Sequence, residues 1–125
     1  MTKILLSIKP KFVEAIFKKE KIFEYRKVIF KQSNIDTVII YASKPIKKIV
    51  GEFKIGKILC DTPNQIWQQT FNFGGVTKDF YDRYFQNKNK AYAIEITDLK
   101  IYDEALDPRS LNQKFVAPQS FYYIE

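Results

Sequence analysis

The stretch Thr37 to Ser43, TVIIYAS, constrains the fold of this chain most. It is β-branched and almost wholly apolar on consecutive positions, so it reads as a buried strand. Lys44-Pro45 ends it. Other runs of strand length flank it. Lys3 to Ile8 (KILLSI) precedes it, as does Ile22 to Val28, and the cluster Gln32-Ser33-Asn34 marks the turn before it. Lys47 to Leu59 is a long strand signal that holds Gly51 and Gly56, and glycine inside a strand predicts a bulge, a bend or a close backbone approach. Lys90 to Thr97 alternates, Lys100 to Tyr102 extends or follows it, and Phe121 to Ile124 ends the series.

Three short helices fit between these strands. Pro10 suits a first helical turn, and Phe12, Val13, Ile16 and Phe17 form one apolar stripe behind it. Thr62-Pro63-Asn64-Gln65 is a capping box, with Ile66 and Trp67 facing inward after it. Gly74-Gly75 breaks the chain. Thr77 then caps a helix whose stripe is Phe80, Tyr81, Tyr84 and Phe85. The order is β-α-β-β-β-α-α-β-β, without the βαβ alternation of a doubly wound sheet. The expected class is α+β: a small mixed barrel of five or six strands with about three helices, one of them packed across an end. No linker divides residues 1–125, so a single domain is expected.

Composition narrows the chemistry. The chain has no histidine and one cysteine. Ser-His-Asp and Cys-His catalysis are therefore excluded, as are zinc sites built on imidazole or several thiolates. Any proton transfer falls to Lys, Glu, Asp or Tyr. Cys60 follows Ile58-Leu59 and is expected as a small core residue. No G-x-G-x-x-G and no Walker loop is present, so no cofactor and no metal is expected. The longest apolar run, Val38 to Ala42, is far too short to span a membrane, and the N-terminus lacks a leader's apolar stretch. A cytoplasmic location follows as the expectation. Residues 1–60 carry 14 Lys+Arg against 5 Asp+Glu, whereas residues 61–125 carry 7 against 9. A half this basic fits an anionic partner, nucleic acid being the commonest, and equally a merely lysine-rich surface.

The densest charge lies in KKEKIFEYRK, residues 18–27. On a strand, Glu24 and Arg26 share a face, while Phe23 and Tyr25 share the other. Lys21 precedes the strand, so its direction is set by the turn. Arg offers a planar fork for phosphate or a base edge, and Glu accepts from an exocyclic amine. The plain alternative is an exposed Glu–Arg pair worth about 0–1 kcal/mol.

These segments together resemble the ASCH family, a branch of the PUA-like barrels. ILLSIKPKFVEAIFKKEK leads into KIFEYRK, where Lys21, Glu24 and Arg26 match the signature Gly-x-Lys-x-x-Glu-x-Arg. Lys19 stands at the signature glycine, so that turn does without glycine's freedom at φ > 0. YASKPIKKIVGEFKI (41–55) supplies a strand-loop-strand with Glu52, and APQSFYYI (117–124) is similar to the closing segment of one branch. The resemblance implies a PUA-like barrel, a cleft between barrel and first helix, and an RNA or nucleotide-like ligand, with a role in translation or RNA processing. The residues it points to are Lys21, Glu24, Arg26, Ser43, Lys44, Gln119 and Ser120, with Lys47 and Lys48 as an extension of the basic track. Two enzymatic activities are also implied: ribonuclease, and hydrolysis of N4-acetylcytidine by a threonine with a lysine and a glutamate. Lys21 and Glu52 match the latter two, but Glu24 stands where the hydroxyl belongs. Binding is therefore favoured over a hydrolase built on Lys21, Glu24 and Glu52.

Overall fold

The computed structural model describes residues 2–110, 115–117 and 121–124. Six strands form one mixed sheet: β1 (Lys3–Ile8), β2 (Phe23–Arg26), β3 (Thr37–Ala42), β4 (Lys48–Asp61), β5 (Ala91–Leu106) and β6 (Phe121–Ile124). Their order across the sheet is β2-β5-β4-β3-β1-β6. Only β1 and β3 run parallel, with Ser7 opposite Tyr41 and Ile8 opposite Ala42; the other pairs are antiparallel. Helices α1 (Pro10–Phe17), α2 (Pro63–Thr70) and α3 (Lys78–Tyr84) complete the α+β architecture.

The apolar run from Thr37 to Ser43 is explained by two cores. Val38, Ile40 and Ala42 face one core with Ile4, Leu6, Ile8, Phe53 and, from α1, Val13 and Ile16. Ile39 and Tyr41 face another with Leu5 and Ile49. Both faces of β3 are thus covered, which is why no polar alternation shows in its sequence. A third core gathers Phe23 and Tyr25 with Ile66 of α2, Tyr81 of α3, Phe85 and Ala93.

The sheet is not the closed barrel expected. Its edges, β2 and β6, do not pair. Side chains bridge the gap instead: the Phe30 and Phe121 rings meet at 6.3 Å, and the Lys31 backbone N–H donates to the Tyr123 hydroxyl at 3.1 Å. The register of the long β4–β5 ribbon shifts three times. One shift lies at Gly51, where a Cβ would fall 2.7 Å from the Lys100 carbonyl oxygen. The bulges expected from the glycines are therefore present. They also let β5 run unbroken from Ala91 to Leu106, past the interruption read between Thr97 and Lys100; Asp98 passes it at φ 46°.

Cys60 is exposed, contrary to the core position expected. Its neighbour Leu59 takes the inward place against the third core, and alternation turns Cys60 to solvent. Thr62 and Thr77 cap α2 and α3, accepting from the Gln65 and Phe80 backbone N–H groups at 3.3 and 3.1 Å. The Lys44-Pro45 peptide is cis. Among the described residues, no helix is long and apolar enough to cross a membrane.

Candidate functional site

The turn after α1 sets the site. Lys19 occupies the position where helices favour a left-handed glycine, and it does adopt φ 64°. The Glu20 and Lys21 backbone N–H groups both donate to the Ala15 carbonyl, closing the turn. This reverses the chain and sends Lys21 inward, a direction that alternation does not give. Its Nζ donates to the Gly74 carbonyl at 2.7 Å, lies 3.5 Å from Glu24 Oε1, and sits over the Tyr25 ring at 4.9 Å. Gly75, at φ 69°, packs on the Lys21 stem so closely that a Cβ would fall 2.7 Å from the Lys21 Cβ.

All four residues of β2 are buried. Glu24 and Arg26 share a face, and the guanidinium donates twice to one oxygen, Glu24 Oε2: Nε at 3.0 Å and Nη2 at 2.7 Å. Nη2 also donates to the Ser7 carbonyl at 3.0 Å, tying β2 to the end of β1. The result is a buried row of cation, carboxylate and cation, with a net charge of one. Burial pulls Lys21 below the ordinary lysine value, and the Glu24 carboxylate opposes that pull. Tyr25 faces the other way along the strand. Thr70 gives its hydroxyl proton to the Ile66 carbonyl at 2.7 Å, so Tyr25 is the donor in its 2.6 Å bond to Thr70.

The row forms the floor of a cleft of about 210 Å³. Phe12 of α1 and Phe80 and Tyr84 of α3 supply aromatic walls, and Ser7, Ile8 and Lys9 line it from the end of β1. The Phe12 and Phe80 rings meet edge to face at 5.2 Å. A flat ligand with a polar edge suits such a space. The sequence reading treated Phe12, Phe80 and Tyr84 as plain core stripes and Gly74-Gly75 as a plain break. The usable signal was that two lysines, Lys9 and Lys11, flank the first stripe, and that paired glycines permit a close approach of backbone to a long side chain.

The other predicted residues fall elsewhere. Ser43 and Lys44 line a second, shallower hollow of about 560 Å³ with Tyr41, Lys47 and residues 115–117. The Ser43 backbone N–H donates to the carbonyl of Ile8, a residue of the first cleft, at 3.0 Å where the parallel strands end. Lys48 is exposed at the start of β4. Glu52 does not line the first cleft; its Oε1 accepts from the Tyr102 hydroxyl at 2.7 Å. Gln119 and Ser120 lie outside the described residues. Among the described residues, no group of three or more Cys, Asp or Glu side chains is placed to hold a metal ion.

Comparison with known proteins agrees with this fold. The family model described as "Domain of unknown function (DUF365)" matches residues 1–118. The large ribosomal subunit protein uL22 of Ureaplasma parvum serovar 3 is 26% identical over 125 residues, 98% of this chain. The match covers 39% of that protein, so the chain spans about two fifths of this relative's length. An ASCH domain-containing ribonuclease of Zymomonas mobilis is 25% identical over 126 residues, covering 96% of this chain and 82% of that protein. The crystal structure of ASCH from Zymomonas mobilis superposes with a TM-score of 0.91 at 23% identity, covering 98% of this chain and 87% of that one. The chain belongs to the DUF365 family and has the fold of an ASCH domain.

Proposed function

We propose that residues 1–125 act as one ASCH unit that binds RNA, taking a nucleotide into the cleft above Lys21, Glu24 and Arg26. The observation that carries this is the buried cation–carboxylate–cation row beneath aromatic walls. Its carboxylate suits the amine of a base, its cations suit carbonyl or ring acceptors, and its rings suit a base face. The basic hollow at Ser43, Lys44 and Lys47 extends the surface toward phosphates, and Gln119 and Ser120 belong to the same proposed surface. One relative, an ASCH domain-containing ribonuclease, points to RNA as well. The role proposed is in translation or RNA processing, in the cytoplasm.

The ribonuclease relative favours one second reading, cleavage of RNA. Glu24 beside Lys21 offers a base and a cation for it. Two features favour binding over catalysis. The Glu24 Oε2 oxygen already accepts twice from Arg26, and Glu52 is bonded to Tyr102 away from the cleft. Hydrolysis of N4-acetylcytidine through Lys21, Glu24 and Glu52 is disfavoured on the same ground.

Fluorescence anisotropy with labelled single-stranded and hairpin RNAs tests the proposal. Affinity is expected to fall steeply between 50 and 200 mM salt, as counterion release requires, and to drop in Arg26→Ala and Lys21→Met. No binding at low salt rejects it. RNA cut by the wild type and left intact by Lys21→Met would establish the second reading instead.

A further inference from the structure

Three lysines rest on the rings that wall the cleft. Lys18, Lys54, Lys78, Arg83 and Arg109 each lie beside an Asp or Glu within 4.0 Å. Lys9, Lys11 and Lys27 have no such partner among the described residues; each is exposed, and each rests on a ring that walls the cleft. Lys9 and Lys11 both reach Phe80, each 5.4 Å from its centroid. Lys11 also covers Phe12 at 5.1 Å, and Lys27 covers Tyr84 at 4.5 Å.

Two ammonium groups on one ring are at most about 11 Å apart, near one Debye length, so they repel. Cation–π contact holds exposed ammonium groups only loosely. An anion at the mouth would relieve that repulsion. The floor is a poor place for a phosphate, because the Glu24 carboxylate sits between its two cations and engages both.

The geometry points to a base-first orientation, in which Lys9, Lys11 and Lys27 clamp the phosphate of a nucleotide whose base lies on the Lys21–Glu24–Arg26 floor. This rests on the RNA-binding reading above and assigns three residues that the sequence did not single out. The clamp selects nucleotides over nucleosides. It adds charge attraction at the rim, while the floor and walls read the planar group.

The test titrates the four nucleosides, their 5′- and 3′-monophosphates, and inorganic phosphate into wild type and into Lys9→Ala/Lys11→Ala/Lys27→Ala. Binding is read by NMR shifts, and RNA anisotropy is run on the same samples. In the wild type, a monophosphate is expected to bind about tenfold more tightly than its nucleoside, the least expected of a charge-assisted contact. In the triple variant that preference should shrink to about twofold or less, and the salt slope for RNA should fall by about 0.7, the value for one phosphate contact. The residues are exposed, so the variant should fold normally, and its circular dichroism confirms that. Three outcomes overturn the inference: nucleosides equal to nucleotides in the wild type, inorganic phosphate as tight as the best nucleotide, or an unchanged preference in the triple variant. Wild-type RNA binding that survives any of these leaves the RNA reading standing. Absent RNA binding removes both.

Discussion

Replacing Glu24 by Gln keeps the shape of the floor and removes its only negative charge. Lys21 and Arg26 then face each other across a neutral amide, with side chains only 2% and 10% exposed. Removing one partner of a buried ion pair costs about 3–5 kcal/mol. The Gln oxygen still accepts from Arg26, which places the expected loss near the lower figure, about 3 kcal/mol. For a chain of this length that is about 10 °C in Tm, or a urea midpoint lowered by about 1.5 M. Lys21→Met alone should cost less, since Glu24 keeps Arg26. The double variant Lys21→Met/Glu24→Gln should be more stable than Glu24→Gln by about 1 kcal/mol or more, because the second cation is gone.

The pH dependence has a definite sign. Burial already depresses Lys21, and losing Glu24 removes its main opposition. The unfolded chain then holds a proton that the folded chain has released, so stability rises with pH from the depressed value to about 10.4. The deficit of Glu24→Gln relative to wild type should therefore shrink between pH 7 and 9.5. Urea unfolding of the four proteins at both pH values decides the matter. A Glu24→Gln midpoint within about 0.5 kcal/mol of wild type, or a double variant no better than the single one, would refute the reasoning.

Three further expectations are checked by the same unfolding measurements. Gly74→Ala should cost about 1–3 kcal/mol, because its Cβ would meet the buried Tyr25 ring at 2.7 Å; Tyr25→Phe in that background should recover part of the loss, since the hydroxyl is the first atom struck. Lys19→Gly should stabilise by about 0.5–1 kcal/mol by freeing the left-handed turn of its Cβ penalty, and a less stable variant would contradict this. Burial raises Tyr25, Tyr81, Tyr84 and Tyr102 above the ordinary phenol value, so their contribution is whole below about pH 10 and is lost as pH climbs beyond it. Tyr81→Phe should flatten that alkaline decline relative to wild type, and an equally steep decline would count against the phenol.

The elements were legible wherever a local pattern spoke for them. Val38 to Ala42 announced a strand covered on both sides, Thr62 and Thr77 announced helix starts, and Gly51 announced a bulge. Glu24 and Arg26 were marked by their spacing and Lys21 by its match to the family signature, and the three do meet. What the sequence withheld was long-range. Lys21 is aimed by a carbonyl 53 residues away, that of Gly74, and nothing near Lys21 predicts it. Phe12 and Phe80 carry the ordinary period of core stripes, yet they line a cleft because α1 and α3 meet across the end of β1. Glu52 shows the reverse: its family position suggested the cleft, but β4 sends it to Tyr102. Cys60 was misjudged because the register shift between Ile55 and Ile58 decides which face follows.

The pairing of β1 with β6 has a consequence for how such a unit is carried. Lys3 stands opposite Ile124, so the first and last strands of the sheet's sequence meet as immediate neighbours. Polypeptide arriving at one and departing from the other would pass through a single point on the surface. A fold with that doorway can be spliced into a longer chain without stretching its host, and the host can continue almost as if nothing had been inserted. A segment resembling this chain makes up 39% of the Ureaplasma ribosomal protein, so a unit of this kind is carried within a longer chain there.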